Sequence, residues 1–230
     1  MNGTIQPQND IIAICDYVRS RNMKTHLDGA RLWDVASATS TPLQDLCAPF
    51  DTVTMCFSKG LGAPIGSMLV GPKELIKKAR WFRKQFGGGM RQTGLLSACA
   101  AYALTHNYPM LTRVHRLARR LEEGLKQTGV EILCRAETCM VFYDPAPIGV
   151  TYRQIIHRAG TLPNPVLLNG SRLIIHIQTS DSAVDDLLKV IADLASERKA
   201  RGDPIHPPKK DGSYTDVYLV AGPGPKAYVE

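Results

Sequence analysis

A lysine between an apolar run and a glycine-rich turn is the first candidate for chemistry. Lys59 follows residues 53–57, whose β-branched and aromatic side chains are typical of a buried strand, and precedes residues 60–66, which are rich in Gly and Pro. A half-buried lysine at a strand end can act as a nucleophile or form a Schiff base. An exposed lysine on an ordinary turn gives the same local pattern, so this stretch alone leaves both interpretations open.

A carboxylate ends the preceding predicted strand. Residues 24–27 are typical of a short strand, and Asp28 follows them directly before Gly29. Ligands of open α/β sheets bind at the carboxyl ends of the strands, although Asp before Gly is also common in turns. A helix predicted over residues 30–38, carrying Arg31 and Trp33, separates the two strands. This order indicates a parallel βαβ unit in which Asp28 and Lys59 face one cleft.

A third candidate is the loop at residues 87–92, which contains three consecutive glycines and Arg91. It precedes a predicted helix of small residues over 95–101. Backbone N–H groups at a helix N-terminus bind anions, and a guanidinium adds further donors. A plain flexible loop is the alternative.

The elements around these residues predict an α/β domain. Asn9 or Asp10 is expected to cap a helix over residues 11–18, and residues 68–70 are expected to form another strand. The helix after Pro72 has an apolar face. That face consists of Leu75, Ala79, Phe82 and Phe86. We expect Trp81 to be a packing group and the helix over 95–101 to pack tightly.

The chain changes character near residue 106. An apolar stripe predicts a helix over residues 111–125, followed by strands over 130–133, 139–143 and 172–177 and helices over 152–158 and 184–198. The predicted domains are therefore a first α/β domain (1–106), which the resemblance described below makes a partial large domain, a small α+β domain (107–202) and a mobile Pro/Gly-rich tail (203–230).

Composition is that of a globular protein, with 44% hydrophobic and 21% charged residues. The formal charge of +7 permits an anionic cofactor, acidic substrates or nucleic acid, but no groove-reading motif supports nucleic-acid binding. The six cysteines have no CxxC spacing and are expected to be reduced. The sequence has no metal-ligand spacing, signal peptide or membrane span, so we expect a cytoplasmic protein with neither a membrane nor a metal partner.

Three motifs together carry a resemblance to a known family. They are HLDGAR at residues 26–31, SKGLGAPIGS at 58–67 and GGGMRQ at 87–92. In this order and spacing they resemble the low-specificity threonine aldolases, which belong to the aromatic amino acid β-eliminating lyase/threonine aldolase family of pyridoxal phosphate (PLP) enzymes. The resemblance extends from about residue 10 to about residue 200. It implies fold type I, with the C-terminal half of the large domain, a mostly parallel sheet with helices, followed by the small domain.

The resemblance also implies the roles of individual residues. Lys59 would form a Schiff base with PLP, and Asp28 would lie against the pyridine nitrogen, which acts as an electron sink when it is protonated. Ser58 matches a position near the cofactor phosphate, and Arg31 matches one near the cofactor hydroxyl. Arg91 would reach the phosphate region across a subunit boundary. Lys84 matches the rim of the substrate site. Arg172, in a stretch that matches the family's R-L-x-x-H, would bind the substrate carboxylate, whereas His176 is expected to be a core histidine.

The implied reaction is retro-aldol cleavage of L-threonine or L-allo-threonine to glycine and an aldehyde. The family usually forms homotetramers that are dimers of dimers. The printed sequence has no counterpart of the family's glycine/threonine phosphate loop or of its ring-stacking histidine. A truncated homologue without catalytic activity is therefore one alternative. The other is an alanine racemase of the same family, because such relatives have a lysine and an aspartate at the positions of Lys59 and Asp28.

Overall fold

A computed structural model describes residues 3–202 of the chain. They divide into two compact units: residues 5–112 form the first, and residues 3–4 together with 113–202 form the second. The sequence predicts a boundary at residue 106, and the units divide between Thr112 and Arg113. The predicted tail at 203–230 lies outside the described residues.

The first unit combines helices with a three-stranded sheet. Its elements in chain order are α1 (Gln8–Ser20), β1 (His26–Gly29), α2 (Leu32–Thr39), α3 (Leu43–Cys47), β2 (Thr52–Cys56), β3 (Ser67–Val70), α4 (Lys73–Gln85) and α5 (Gly94–Tyr102). A π-helical turn (Ala103–Asn107) and a 3-10 turn (Tyr108–Met110) follow α5.

The sheet has the order β1-β2-β3. β1 and β2 are parallel, with Asp28 opposite Thr54, which confirms the predicted parallel pairing. β3 is antiparallel to β2, so the described sheet is mixed. The parallel pair brings the carboxyl ends of β1 and β2 to the same edge, where a ligand of an α/β sheet binds.

The two faces of the sheet differ in burial. Val53 and Met55 are buried, with exposed fractions of 2% and 4%. His26 and Asp28 point to the opposite face, because side chains alternate along a strand, and both are exposed. On this polar face the His26 ring Nδ1 lies 2.8 Å from the Thr52 hydroxyl. The apolar face supports the sheet, and the polar face presents Asp28.

Helix α1 begins earlier than predicted. Neither Asn9 nor Asp10 caps it; the helix starts at Gln8, and Pro7 is its N-cap residue without a side-chain cap. Pro7 has φ −58°, and its carbonyl accepts hydrogen bonds from Asp10 and Ile11. The proline pre-sets the backbone for the first turn, where the Asp10 carboxylate complements the helix dipole.

The predicted packing of Trp81 in α4 and of the small residues of α5 is not seen among the described residues. Neither helix contains a buried residue. Phe86 is 80% exposed, Leu95 is 76% exposed and Trp81 is 61% exposed. The aromatic rings of α4 contact one another, with Trp81 and Phe82 centroids 5.0 Å apart. The helical period of α4 was predicted correctly, but no described element of this unit covers its apolar face.

The second unit has its own core between an antiparallel sheet and three helices. Its main elements are α6 (Leu111–Gln127), β4 (Glu131–Cys134), β5 (Met140–Asp144), α7 (Tyr152–Gly160), β6 (Arg172–Ile174) and α8 (Asp181–Arg201). The sheet order is β4-β5-β6, with antiparallel pairings throughout. The predicted stripe of α6 is confirmed, because Val114, Leu121 and Leu125 are at most 1% exposed.

The last strand of this sheet is shorter than predicted. β6 ends at Ile174, not at residue 177. His176 and Thr179 close a turn there: the Thr179 amide donates to the His176 carbonyl at 2.9 Å, and the His176 amide donates to the Thr179 hydroxyl at 3.0 Å. A side chain thus competes with the ladder for the backbone donor. His176 is half-buried, so its expected place in the core is only partly met.

Membrane-spanning helices, metal-ligand clusters and disulfides are absent from the described part of the chain. No helix between residues 3 and 202 is long and apolar enough to cross a membrane. The same residues hold no cluster of His, Cys, Asp and Glu suited to a metal ion. All six cysteines lie within this range, and none forms a disulfide.

Candidate active site

The loop that carries Lys59 is closed by its own backbone. The Phe57 amide donates to the Gly66 carbonyl at 2.9 Å, and the Ala63 amide donates to the Phe57 carbonyl at 3.0 Å. Within it, the Gly62 amide donates to the carbonyl of Lys59 at 2.8 Å. Gly62 and Gly66 have φ values of 68° and 111°, a region that favours glycine. The glycines therefore make a tight turn around the lysine.

The two residues that follow Lys59 in the chain are closely packed against other groups. A Cβ on Gly60 would lie 2.8 Å from Oδ2 of Asp34, a residue of α2 that is 1% exposed. Leu61 is completely buried. Lys59 itself is half-buried, which agrees with the first of the two interpretations that the sequence leaves open. The backbone around the lysine is therefore held against α2.

Asp28 lies at the carboxyl end of β1 on the exposed polar face. Its Oδ1 accepts a hydrogen bond from the Ala30 amide at 3.2 Å, which is the turn geometry that the sequence also allows. The carboxylate remains open to solvent. The turn interpretation and the functional interpretation of Asp28 are thus compatible.

Arg31 and Ser58 lie in the segments that follow the ends of the two parallel strands. Arg31 is the N-cap residue of α2 and is half-buried. Ser58 directly precedes Lys59 and is exposed. Asp28, near the end of β1, and Lys59, after β2, belong to the same edge of the sheet, which is where the sequence predicts a site.

Lys84 and Arg91 lie in a part of the first unit whose side chains are exposed to solvent. Lys84 lies in the last turn of α4, and Arg91 follows the three glycines; both are exposed. Gly87 has φ 81° and ends α4, and the Gly88 amide donates to the Arg83 carbonyl at 2.7 Å. This closed turn, with Gln92 at φ 51°, leads into α5.

Arg172 belongs to the second unit. It begins β6 opposite Phe142 of β5 and is half-buried. Part of the basic surface of this unit is paired: the Arg113 guanidinium donates to Asp181 at 2.9 Å, and Arg120 pairs with Asp185. The Arg113 hydrogen bond lowers the pKa of the Asp181 carboxyl.

Two residues that the sequence did not assign contact the lysine loop. The Trp33 indole Nε1 donates to the Cys56 carbonyl at 3.1 Å, and the Asn107 amide Nδ2 donates to the Leu61 carbonyl at 2.7 Å. Trp33 and Tyr108 also line an open groove of about 410 Å³ that contains none of the predicted site residues. No local pattern signals either hydrogen bond, since each joins distant segments.

A primary amine and a carboxylate lie at the ends of adjacent parallel strands. These are the two groups that a cofactor with an aldehyde and a ring nitrogen requires. The amine can bind an aldehyde covalently, and the carboxylate can pair with a protonated ring. The close packing of Gly60 leaves no room for a side chain beside the lysine backbone. The residues present fit these two contacts of PLP, and the fold around them is of the α/β class.

Known proteins with similar sequences or folds include threonine aldolases. Residues 1–146 match the beta-eliminating lyase family. The chain is 36% identical over 224 residues to a probable low-specificity L-threonine aldolase of Schizosaccharomyces pombe, covering 97% of this chain and 54% of that protein. It is 35% identical over 211 residues to the alanine racemase TOXG of Cochliobolus carbonum, covering 88% and 52%. Among solved structures, a Leishmania major threonine aldolase superposes with a TM-score of 0.69 at 19% identity, covering 84% of this chain and 58% of that one.

The chain belongs to the beta-eliminating lyase family. The family resemblance and PLP fold type I are therefore confirmed. The chain spans about half the length of the curated relatives it matches.

Proposed function

We propose that this chain carries the lysine-bearing part of a PLP-dependent aldolase, which cleaves L-threonine or L-allo-threonine to glycine and an aldehyde. The observation that carries the proposal is the pairing of parallel strands that places Asp28 and the Lys59 loop at one sheet edge. The relative from Schizosaccharomyces pombe, named a probable low-specificity L-threonine aldolase, supports the substrate class.

In this proposal the first unit holds PLP. Lys59 Nζ would hold the aldehyde group, and Asp28 would pair with the ring nitrogen. Ser58 would lie near the phosphate, Arg91 would reach the phosphate of a neighbouring subunit, and Arg31 would lie near the ring hydroxyl. When bound, PLP supplies an electron sink for the electron pair released as the Cα–Cβ bond of the amino acid breaks.

Arg172 and Lys84 are the proposed substrate contacts. Arg172 binds the substrate carboxylate, because a guanidinium can donate two parallel hydrogen bonds to it and thereby fix the orientation of Cα. Lys84 adds a positive charge at the rim. Lys84 is exposed and Arg172 is half-buried.

The proposal extends to assembly and location. The exposed apolar residues of α4 and α5 support a homo-oligomer of the type usual in the family, in which those faces are covered. The lack of a membrane-spanning helix among residues 3–202 is compatible with a cytoplasmic location.

Covalent capture of PLP tests the proposal. The full 230-residue chain is mixed with PLP, the visible absorbance is followed, and borohydride reduction with peptide mapping locates the adduct. We expect the adduct on Lys59, its loss in Lys59→Ala, and its retention in Lys77→Ala, a matched exposed lysine of α4. A wild-type chain that captures no PLP at Lys59 contradicts the proposal.

The role of Asp28 is tested by Asp28→Asn. Opposite charges about 4 Å apart attract by about 4 kcal/mol at an effective dielectric near 20, before desolvation. We therefore expect Asp28→Asn to capture PLP but to release aldehyde about 100-fold more slowly. A variant as active as the wild type would show that the carboxylate is not at the ring nitrogen.

A second candidate function is racemisation of alanine, favoured by the similarity to the racemase of Cochliobolus carbonum. Chiral analysis of alanine, run beside aldehyde release from L-allo-threonine, distinguishes the two. Racemised alanine without aldehyde would replace the aldolase proposal.

A further inference from the structure

Two side-chain donors from outside the lysine loop hold it on either side of Lys59. Trp33 donates to the carbonyl of Cys56, three residues before the lysine, at 3.1 Å. Asn107 donates to the carbonyl of Leu61, two residues after it, at 2.7 Å. The backbone that carries the lysine is thus fastened at both ends by groups from other elements.

The Trp33 contact involves more than one hydrogen bond. Its ring lies 6.1 Å from the ring of Phe57, which belongs to the loop, and 6.0 Å from the ring of Tyr108, in an edge-on arrangement. Trp33 is 7% exposed, so its rotamer is confined by packing. A rigid side chain of this kind presents its N–H donor at a fixed position.

The Asn107 contact satisfies a carbonyl that solvent cannot reach. Leu61 is 0% exposed, and a buried backbone carbonyl without a donor is costly. Asn107 is the last residue of the π-helical turn Ala103–Asn107, between α5 and the 3-10 turn. Such turns interrupt the regular helix and redirect a side chain. Here the turn ends on the residue that reaches the lysine loop.

The two donors are also linked to each other. Tyr108, the neighbour of Asn107, contacts the Trp33 ring. Trp33, Tyr108 and Asn107 therefore form one support beneath residues 56–61, with the half-buried Lys59 between the two accepting carbonyls.

We propose that Trp33 and Asn107 are positioning residues for Lys59: they fix the loop backbone so that Nζ is held in place for attack on an aldehyde. This inference rests on the proposed function, because it assigns the two residues to the capture of PLP. Pre-organisation of the nucleophile removes the entropy cost of ordering the loop during the reaction.

The first experiment needs no cofactor. Hydrogen exchange of the Gly62 and Ala63 amides is measured in the PLP-free, full-length chain for the wild type, Asn107→Leu and Trp33→Phe. Phenylalanine keeps an aromatic ring but lacks the indole donor. We expect exchange about tenfold faster in each variant, with unchanged exchange in α8. Asn9→Leu and Trp81→Phe are matched exposed controls and should behave as the wild type.

The second experiment measures the rate constant for PLP capture at Lys59 at saturating PLP. We expect about tenfold slower capture in Asn107→Leu and Trp33→Phe and no change in the two controls. If Asn107→Leu does not fold, Trp33→Phe decides alone. Wild-type exchange together with wild-type capture in the variants overturns the proposal, and so does faster exchange that extends to α8, which would indicate general destabilisation.

The two measurements separate the failure of this inference from the failure of the proposed function. A wild-type chain that captures no PLP refutes the proposed function and, with it, a role in capture for Trp33 and Asn107. Capture by the wild type with no effect of either variant refutes the positioning role alone.

Discussion

At the scale of single residues, Gly60 shows how tightly the candidate site is built. The absent side chain of this glycine is what allows Asp34 to approach the backbone next to Lys59. Asp34 lies in the first turn of α2, so its position is set by the helix as well as by the loop. A glycine at this position thus serves close packing between a helix and the lysine loop.

The change Gly60→Ala tests this packing. A Cβ 2.8 Å from Asp34 Oδ2 forces either the buried Asp34 carboxylate or the loop backbone to move, and we expect a loss of about 1–3 kcal/mol in the free energy of unfolding. Urea unfolding of the PLP-free chain measures it. Gly94→Ala is the control, because a Cβ there meets no atom within 4 Å. Equal stability of the two variants would show that the loop yields freely.

At the scale of elements, Asp51, which directly precedes β2, links the beginnings of the parallel strands β1 and β2 through hydrogen bonds. Its Oδ2 accepts hydrogen bonds from the backbone amide and the hydroxyl of Thr25, at 2.9 Å and 3.0 Å, and Lys24 pairs with Oδ1 at 3.0 Å. The Thr25 amide above all, then Lys24 and the Thr25 hydroxyl, lower the pKa of Asp51 to about 2. The carboxylate thereby ties the start of β1 to the start of β2.

The hydrogen bonds of the Asp51 carboxylate predict that the folded chain loses stability in acid. An unfolded aspartate has a pKa of about 3.9, above the folded value, so the contribution of the carboxylate is present above about pH 4 and disappears as the pH falls to about 2. The difference in unfolding free energy between wild type and Asp51→Asn should therefore be largest near pH 6 and shrink below pH 4. Urea unfolding across this range measures it.

Asp16→Asn is the control for that experiment. The Asp16 carboxylate is 64% exposed and pairs with Arg19 of the same helix, and such surface pairs contribute little. Its effect should stay small at every pH. An Asp51→Asn effect that is constant with pH would show that the hydrogen bonds of Asp51 do not favour its ionised form.

At the scale of the whole molecule, burial is distributed unevenly along the chain. The second unit has one continuous apolar core that joins its sheet to α6, α7 and α8. In the first unit, α2 and β2 are buried in part, whereas α4 and α5 contain no buried residue. Local stability follows burial, because an element with few apolar contacts opens at low cost.

Hydrogen exchange should therefore differ sharply between helices. We expect the backbone amides of α4 to exchange on the order of 100-fold faster than those of α6, measured by mass spectrometry on the PLP-free chain. Repeating the measurement at a higher protein concentration tests self-association, which would protect α4 selectively. Equal protection of α4 and α6 in dilute solution would contradict the prediction.

The sequence by itself determined the order of the elements and the positions of Lys59 and Asp28 at strand ends. Periodicity of 2 in strands and 3.6 in helices is a local property, so β2 and the buried stripe of α6 could be recognised from neighbouring residues. The glycines around Lys59 likewise signalled a tight turn through their local conformational freedom. The motifs that carry the family resemblance are also contiguous in sequence.

Only the tertiary structure decided what holds Lys59 and which helix faces are covered. Asn107 is 46 positions from Leu61, and Trp33 is 23 positions from Cys56, so no local pattern could connect these donors to their carbonyls. The apolar period of α4 likewise could not show whether a described element covers it. Hydrogen bonds and burial between distant segments depend on how the chain folds back on itself, and that is a property of the three-dimensional arrangement.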